Sequence, residues 1–320
     1  MKRALTILIL FLAFIPNSTG WGFYAHKKIN RNACFTLPSA LFPFYKYNIN
    51  EITERAVNPD KRRGLDPNEE PKHYIDIDHY GAQPFDSVPQ YWFDAVIKFS
   101  EDTLKEYGTL PWNLQLELYN LTEAFKIKDR DKIIKHSADI GHYIGDAHVP
   151  LHTTENYNGH LTNQRGIHGF WESRLPELYA DNYNLLVGRA SYLEQPLLST
   201  WEIIQQSNLA VDSVLKFEAE LTKEFGSKKY SFEKRGKTSK KVYSEAFSSA
   251  YHSKLSNMVE RRLRASIHMT ASFWLTAWVN AGQPDLLDLI DKPINDSTAN
   301  ELQKLELEYK IYHTPKREHE

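Results

Sequence analysis

Long stretches of the chain repeat apolar residues every three or four positions, the spacing that places them on one face of a helix. Residues 129–148, "DRDKIIKHSADIGHYIGDAH", follow this pattern, with Asp129 as a candidate N-cap and a proline two residues beyond the end. Residues 198–225 and 243–280 are two further long periodic stretches. Strict alternation of apolar and polar residues, which would indicate a strand, is scarce. The nearest case is the short "HYIDIDHY", residues 73–80. The pattern predicts an all-α protein with a single helical domain.

Three segments fall outside the helical pattern. Residues 1–20 run from basic "MKR" through twelve apolar residues to the small residues of "PNSTG", which is typical of a signal peptide cleaved before Trp21. We therefore expect an exported protein, periplasmic or secreted, whose domain spans residues 21–295. Residues 226–241, "GSKKYSFEKRGKTSKK", are basic and predict an exposed loop. Residues 296–320 form a charged C-terminal tail, either a terminal helix or frayed.

Composition is that of a soluble globular protein, with 41% hydrophobic and 25% charged residues. The net charge of −2 argues neither for nor against a nucleic-acid partner. Cys34 is the only cysteine, so an internal disulfide is excluded. A bound metal ion would help to stabilise such an exported chain, because a ligand of the native state alone favours that state.

The segment "HYIGDAHVPLH", residues 142–152, concentrates side chains that can bind metal ions. His142 and Asp146 are four residues apart, so they project from the same face of a helix. His152 lies beyond the end of that helix and can serve a second ion. The pair His168 and Glu172 repeats the four-residue spacing in "IHGFWESRL". Imidazole and carboxylate ligands suit zinc, so the pattern favours a multinuclear zinc site over incidental structural histidines.

These residues also carry a family resemblance. "HYIGDAHVPLH", followed by "NYNG" and "HGFWE", resembles the superfamily of zinc-dependent phospholipases C and plant and fungal single-strand nucleases. The resemblance implies an all-helical fold with three zinc ions in a cleft, one of them bound by the amino group of an N-terminal tryptophan. Cleavage before "WGFYAH" would make Trp21 that residue, with His26 five positions on. The resemblance covers residues 21–175, and beyond them only helical character agrees.

The resemblance implies nine metal ligands. "NPDKRR" supplies Asp60 and "KHYID" supplies His73. The first zinc would be held by Asp60, His73, His142 and Asp146, the second by His152, His168 and Glu172, and the third by Trp21, His26 and a shared Asp146.

The resemblance implies hydrolysis of a phosphodiester by metal-activated water. Bound zinc activates the water by lowering its pKa. Arg63 matches an arginine that faces phosphate in the nucleases and would neutralise charge on the phosphoryl oxygens. Asp60 would also orient the attacking water. Tyr74 and Asp76 match positions that contact a base in the nucleases, and structural roles are an equal alternative for both.

The substrate stays open between single-stranded nucleic acid and a phospholipid head group. Glu172 agrees with the phospholipase branch, whereas "HGFWE" and the spacing from Trp21 to His26 agree with the nuclease branch. The cysteine bridges of the plant and fungal enzymes are absent. We expect a monomer without a stable protein partner. Two alternatives remain: an exported zinc-binding protein without catalysis, against which Asp60 and Arg63 argue, and a structural helical domain.

Three further predictions concern residues near these motifs. His148 lies off the ligand face of its helix, which favours packing or support of a ligand. Asp139, one turn before His142, either orients that histidine or is an exposed acid. Phe273, Trp274 and Trp278 stand at helical spacing and are assigned to the core.

Overall fold

Residues 22–235 and 238–312 are described by a computed structural model, and they are mostly helical. This confirms the predicted all-α, single-domain class. The predicted signal peptide and Trp21 lie outside the described residues. The helices are α1 (Phe23–Ala33), α2 (Phe42–Tyr47), α3 (Ile49–Arg55), α4 (Asn58–Arg63), α5 (Pro84–Ser87), α6 (Trp92–Phe99), α7 (Glu101–Tyr107), α8 (Leu110–Lys126), α9 (Arg130–Ala147), α10 (Ile167–Gly169), α11 (Leu175–Tyr179), α12 (Pro196–Leu209), α13 (Val211–Phe225), α14 (Glu245–Lys254), α15 (Met258–Asn280) and α16 (Asp296–Tyr312).

Helix α9 lies at the centre of the molecule. It packs against α1, α3, α8 and α15, and every residue from Ser137 to Ala147 is buried. The Asp129 side chain caps its first turn by accepting a hydrogen bond from the Lys132 backbone N–H at 3.1 Å, as predicted. The "HYIGDAH" segment therefore occupies the most enclosed turns of the fold, where unpaired polar groups would be costly.

The aromatic stripe of α15 fixes the opposite side of α9. Phe273, Trp274 and Trp278 are buried, which confirms their assignment to the core. The Trp274 indole Nε1 donates to the Ser137 carbonyl at 2.9 Å, and its ring stacks on Tyr45 with centroids 4.7 Å apart. A hydrogen bond of 2.8 Å joins the hydroxyls of Tyr45 and Ser137. These contacts join α2, α9 and α15.

Each of the other two long periodic stretches is divided into two helices. α12 and α13 meet at Ala210. Near the end of α12, the Arg262 guanidinium donates a hydrogen bond to the carbonyl of Gln206 at 2.5 Å. α14 and α15 are separated by a turn in which Ser256 and Asn257 have φ of 49° and 61°. All four helices keep buried apolar residues at helical spacing, so the apolar pattern does not reveal either break.

The prediction of a loop over residues 226–241 is wrong for most of that segment. After a 3-10 turn, Gly226–Lys229, it forms the antiparallel strands β1 (Tyr230–Arg235) and β2 (Thr238–Tyr243). Aromatic and polar residues alternate in "YSFEKR", as in a half-buried strand, but the high lysine content hides this signal. In contrast, the alternating "HYIDIDHY" forms no strand; it starts at the last residue of one 3-10 turn, Glu70–His73, and ends in another, Ile77–Tyr80.

The described part of the predicted tail is a packed helix. α16 lies against α4, where Lys61 pairs with Glu306 at 2.7 Å. Tyr309 is buried, with its ring centroid 6.1 Å from that of Phe23. Across the described ranges, no helix combines the length and apolar character that a membrane crossing requires.

Cys34 should resist thiol reagents in the folded protein. Its side chain is fully buried, and burial raises the pKa of the thiol to about 12. At pH 8 only ~10⁻⁴ of such a thiol is thiolate, the reactive form. We expect no labelling by iodoacetamide at pH 8 and one equivalent of labelling in guanidinium chloride, measured by intact mass. Rapid labelling of the folded protein would contradict this burial.

Candidate metal centre

Buried histidine and acidic side chains meet around the end of α9 in groups that could hold metal ions. Within each group the candidate ligand atoms lie within 4.8 Å of one another. The three groups are Asp60, His73 and His142; His152, His168 and Glu172; and His26, His142 and Asp146. All eight predicted ligands that the structure describes are brought together here, and the ninth, Trp21, lies outside the described residues.

The first group joins α4, the 3-10 turn Glu70–His73 and α9. His73 Nδ1 lies 3.0 Å from both His142 Nε2 and Asp146 Oδ2. Asp60 Oδ1 is 3.9 Å from His73 Nδ1 and 3.7 Å from His142 Nε2. Tetrahedral ligands ~2.0–2.1 Å from a zinc ion are about 3.3 Å apart. The spacing of these atoms is compatible with ligands of one metal ion.

Asp146 links the groups through its two carboxylate oxygens. Its Oδ2 faces the first group, at 3.0 Å from His73 Nδ1 and 3.3 Å from His142 Nε2. Its Oδ1 lies 3.4 Å from His26 Nε2 and 3.9 Å from His152 Nε2. One buried carboxylate thus contacts or approaches members of all three groups.

The second group is formed by the turn after α9 and by a π-helical turn. His152 Nε2 and His168 Nε2 are 3.1 Å apart, and Glu172 Oε2 lies 3.1 Å and 3.0 Å from them. The predicted spacing of His168 and Glu172 holds, but Glu172 lies in a π-helical turn, Phe170–Arg174, that directly follows α10. Such wide turns often occur at functional sites. Two ring nitrogens aimed at one carboxylate oxygen are what a shared cation would hold in place.

Backbone carbonyls fix the protonation of two of the rings. His142 Nδ1 lies 2.9 Å from the Ala56 carbonyl, and His152 Nδ1 lies 2.6 Å from the His73 carbonyl. Because a carbonyl only accepts, each Nδ1 is the donor and each Nε2 faces its group. The bond from His152 to the backbone of His73 also couples the second group to the first.

Burial disfavours charged side chains in the centre, but the opposite charges there stabilise one another. Burial disfavours the charged imidazolium, but the carboxylates of Asp146 and Asp60 outweigh it and raise the pKa of His142 to about 9. Burial likewise opposes the Asp146 carboxylate, yet His142 and His152 hold its pKa well below the usual range. Burial lowers the pKa of His73 to about 4, which keeps that ring neutral. A positive charge on His142 therefore balances the carboxylates, a role that a bound cation would take over.

Two glycines of α9 bring α1 close to the centre. A Cβ atom on Gly145 would lie 3.0 Å from the His26 ring, and one on Gly141 would lie 1.6 Å from Asn30 Oδ1. The rings of His26 and His142 stack with centroids 3.8 Å apart. The third group exists because α1 rests directly on the backbone of α9. Glycines four residues apart within a helical pattern are the signal that sequence reasoning missed.

Replacing Gly145 with alanine should displace His26. The added methyl group meets the His26 ring at the limit of contact, so the ring or α1 must shift. We expect a loss of about 1–3 kcal/mol in the free energy of unfolding, and a metal content equal to that of His26→Gln. Urea unfolding and elemental analysis measure these two quantities. If Gly145→Ala keeps the wild-type metal content while His26→Gln loses metal, the steric argument is wrong.

Arg63 lies buried beside the first group. Its Nη1 is 3.8 Å from Asp60 Oδ1, and its Nη2 is 3.6 Å from Glu70 Oε1. Its Nε and Nη2 are buried and make no hydrogen bond among the described residues, and Asp60 Oδ2 likewise accepts none. The guanidinium is held by charge and retains donors for an anion.

A groove with a volume of about 970 Å³ is lined by Glu70 and Pro71, which precede His73, and by Tyr74 and Asp76, which follow it. Tyr74 and Asp76, the predicted substrate contacts, both line it and are nearly buried. The Tyr74 hydroxyl donates to the Glu106 carbonyl at 3.2 Å. The lining includes three tyrosines and two basic residues. Its five acidic residues are Glu70, Asp76, Asp102, Glu106 and Glu155.

Asp139 neither orients His142 nor is an exposed acid, the two roles predicted for it. It is buried, and its Oδ2 accepts a hydrogen bond from Arg62 Nη2 at 3.0 Å instead of contacting His142. The reason is that the Ala56 carbonyl already holds the Nδ1 of His142. His148 has the predicted packing role, since it is buried and its Nδ1 bonds to the Ile144 carbonyl at 2.8 Å.

Sequence analysis did not predict a partly buried charge network behind the first group. Arg62 Nη2 lies 3.1 Å from Glu69 Oε1, which also accepts a hydrogen bond from the Tyr143 hydroxyl. Glu69 Oε1 is 3.8 Å from His73 Nε2, on the side of the ring that faces away from the group. Arg62 and Tyr143 directly adjoin Arg63 and His142 in sequence, but their long-range pairing leaves no local pattern.

Comparison with known proteins adds no assignment. A scan against protein-family models and a search of curated proteins both returned no match.

Proposed function

We propose that this protein is a zinc-dependent phosphodiester hydrolase of the phospholipase C and single-strand nuclease type, exported and cleaved before Trp21. The observation that carries the proposal is the convergence of three histidine–carboxylate groups around Asp146, with the donors of Arg63 beside them. A site that only stored metal would need no buried arginine next to its ligands.

The donor set fits zinc. It consists of imidazole nitrogens and carboxylate oxygens, without thiolates among the described groups, and the closest atoms are 3.0–3.9 Å apart. Asp60 Oδ2 is a buried acceptor without a hydrogen bond, which a cation or a water held by one would satisfy. His142 belongs to two of the groups but presents only Nε2 to them, so it can ligate one ion. Three ions then require that the third be held by His26, Asp146 and the amino group of Trp21.

Zinc supplies Lewis acidity and water of lowered pKa. The chain's own residues then divide the remaining tasks. Arg63 would bind a phosphoryl oxygen and stabilise the charge that grows there in the transition state. Asp60 would accept a hydrogen bond from the attacking water through Oδ2 and so orient it. The neutral His73 and the carbonyl-bound rings of His142 and His152 keep the centre preorganised.

The groove favours a phospholipid over a polynucleotide. Its lining contains five acidic side chains and three tyrosines but only two lysine or arginine side chains. Carboxylates and aromatic faces suit a substituted-ammonium head group, whereas they would repel the successive phosphates of a nucleic acid. Tyr74 and Asp76 would contact the head group from the wall next to His73.

The test counts metal and measures cleavage on the same sample. Protein beginning at a free Trp21 is analysed for zinc per chain, then assayed on phosphatidylcholine vesicles and single-stranded DNA. We expect about three zinc ions and chelator-sensitive release of phosphocholine. The matched control carries one extra residue before Trp21, which should remove one zinc. Three zinc ions without cleavage of either substrate would favour an exported zinc-binding protein, and no zinc would refute the proposal.

A further inference from the structure

The hairpin formed by β1 and β2 combines charge and apolar exposure in a way that the metal centre does not explain. Residues 226–241 contain seven lysines and arginines and one glutamate, although the whole chain has a net charge of −2. Phe232 stands among these basic residues with 74% of its side chain exposed. Lysines are common on exposed strands because they prevent edge-to-edge pairing, but that role does not account for an exposed phenylalanine.

The base of the hairpin is firmly anchored. The Tyr243 ring stacks on Phe170 with centroids 3.8 Å apart, and buried Lys229 pairs with buried Glu218 at 2.5 Å. Arg174 donates to the Tyr243 carbonyl at 2.8 Å and to Glu233 at 3.1 Å. Since Phe170 and Arg174 belong to the turn that carries Glu172, the hairpin is attached directly behind a metal ligand.

Among the described outer residues of the hairpin, the face that carries Phe232 is the more exposed. Phe232 pairs with Lys241 and shares its face with Lys234, while Lys240 projects from the opposite face. Lys234, Lys240 and Lys241 are all exposed. A single apolar side chain is thus surrounded by cations, and no row of aromatic side chains lines a path among the described outer residues.

We propose that this hairpin docks the protein on a bilayer that contains anionic phospholipids. Phe232 enters the boundary between head groups and acyl chains, and the lysines remain at the level of the anionic head groups. A single-stranded polynucleotide is the less suitable partner, because it requires successive aromatic platforms along a basic groove and the groove beside the metal centre is acidic.

Vesicle co-sedimentation tests the proposal without depending on catalysis. The protein as purified is mixed with phosphatidylcholine vesicles that contain or lack about 30% phosphatidylserine, at low and high salt, and released phosphocholine is measured in the same supernatants. We expect binding to the anionic vesicles that weakens with salt. Lys234→Gln and Lys241→Gln should each weaken it about fivefold, and Phe232→Ser about tenfold. Binding without release of phosphocholine would exclude the phospholipid substrate of the proposed hydrolase and leave the docking surface standing.

Matched variants separate this surface from other exposed groups. Phe93 on α6 has the same 74% exposure as Phe232, so Phe93→Ser controls for general apolar contact. Lys304→Gln and Lys310→Gln on α16 control for the loss of charge, and all three should bind like wild type. The proposal is overturned if vesicles do not bind, if binding ignores the anionic lipid, or if Phe93→Ser weakens it and Phe232→Ser does not. It is equally overturned if Lys234→Gln and Lys241→Gln weaken the binding of a single-stranded oligonucleotide but leave the binding of vesicles unchanged.

Discussion

Asp146→Asn should abolish hydrolysis and remove most of the bound metal. The amide keeps the size of the side chain but loses the charge that balances His142 and contacts His26 and His73. We expect the ions of the first and third groups to be lost, while His152, His168 and Glu172 keep theirs. Activity should fall by about 10³-fold or more, because the metal-supported stabilisation of the transition state is lost together with its ligands.

The same substitution should weaken the fold. In the absence of metal it removes the main charge partner of the buried His142 ring, and breaking a buried ion pair costs about 3–5 kcal/mol. Zinc titration by calorimetry and urea unfolding measure the two effects. Glu117→Gln is the matched control, since it also removes a carboxylate from a histidine, His136 at 2.7 Å, but away from the three groups. Full zinc content in Asp146→Asn would contradict the bridging role.

The part of the site that lies on α9 and just beyond could be predicted because its geometry is local. A four-residue spacing on a helix places His142 beside Asp146 whatever the rest of the chain does. His168 and Glu172 follow the same rule, and the π-helical turn changes only their exact orientation. The helical class was equally accessible, since long amphipathic periods indicate helices without reference to tertiary contacts.

Features that depend on distant contacts were not predictable in this way. Asp139 turns to Arg62, 77 residues away, and no local pattern distinguishes that partner from His142. The end of α12 is fixed by Arg262, on a helix more than fifty residues further along the chain. The placement of Asp60 and His73 beside α9 was reached through the family resemblance alone, because neither lies within a helical turn of another candidate ligand.

Arg63→Lys should lower kcat/KM about a hundredfold and Arg63→Ala about a thousandfold, with metal content unchanged. Lysine keeps the charge but offers no planar fork of donors, and two buried Arg63 donors make no hydrogen bond among the described residues. Losing one preorganised donor to a phosphoryl oxygen typically costs 10²–10³ in rate. Steady-state kinetics on phosphatidylcholine, with zinc counted on the same samples, separates catalysis from metal binding.

The control for Arg63 is a half-buried arginine that also pairs with carboxylates. Arg130 pairs with Glu51 at 2.5 Å and with Asp131 at 2.7 Å, away from the three groups, so Arg130→Lys should leave the rate unchanged. If Arg63→Lys loses zinc in proportion to activity, the arginine acts by holding Asp60 in the first group rather than by binding phosphate. If it keeps both zinc and full activity, the buried guanidinium has no part in the reaction, and the distinction between a hydrolase and a metal-binding protein would rest on the cleavage assays alone.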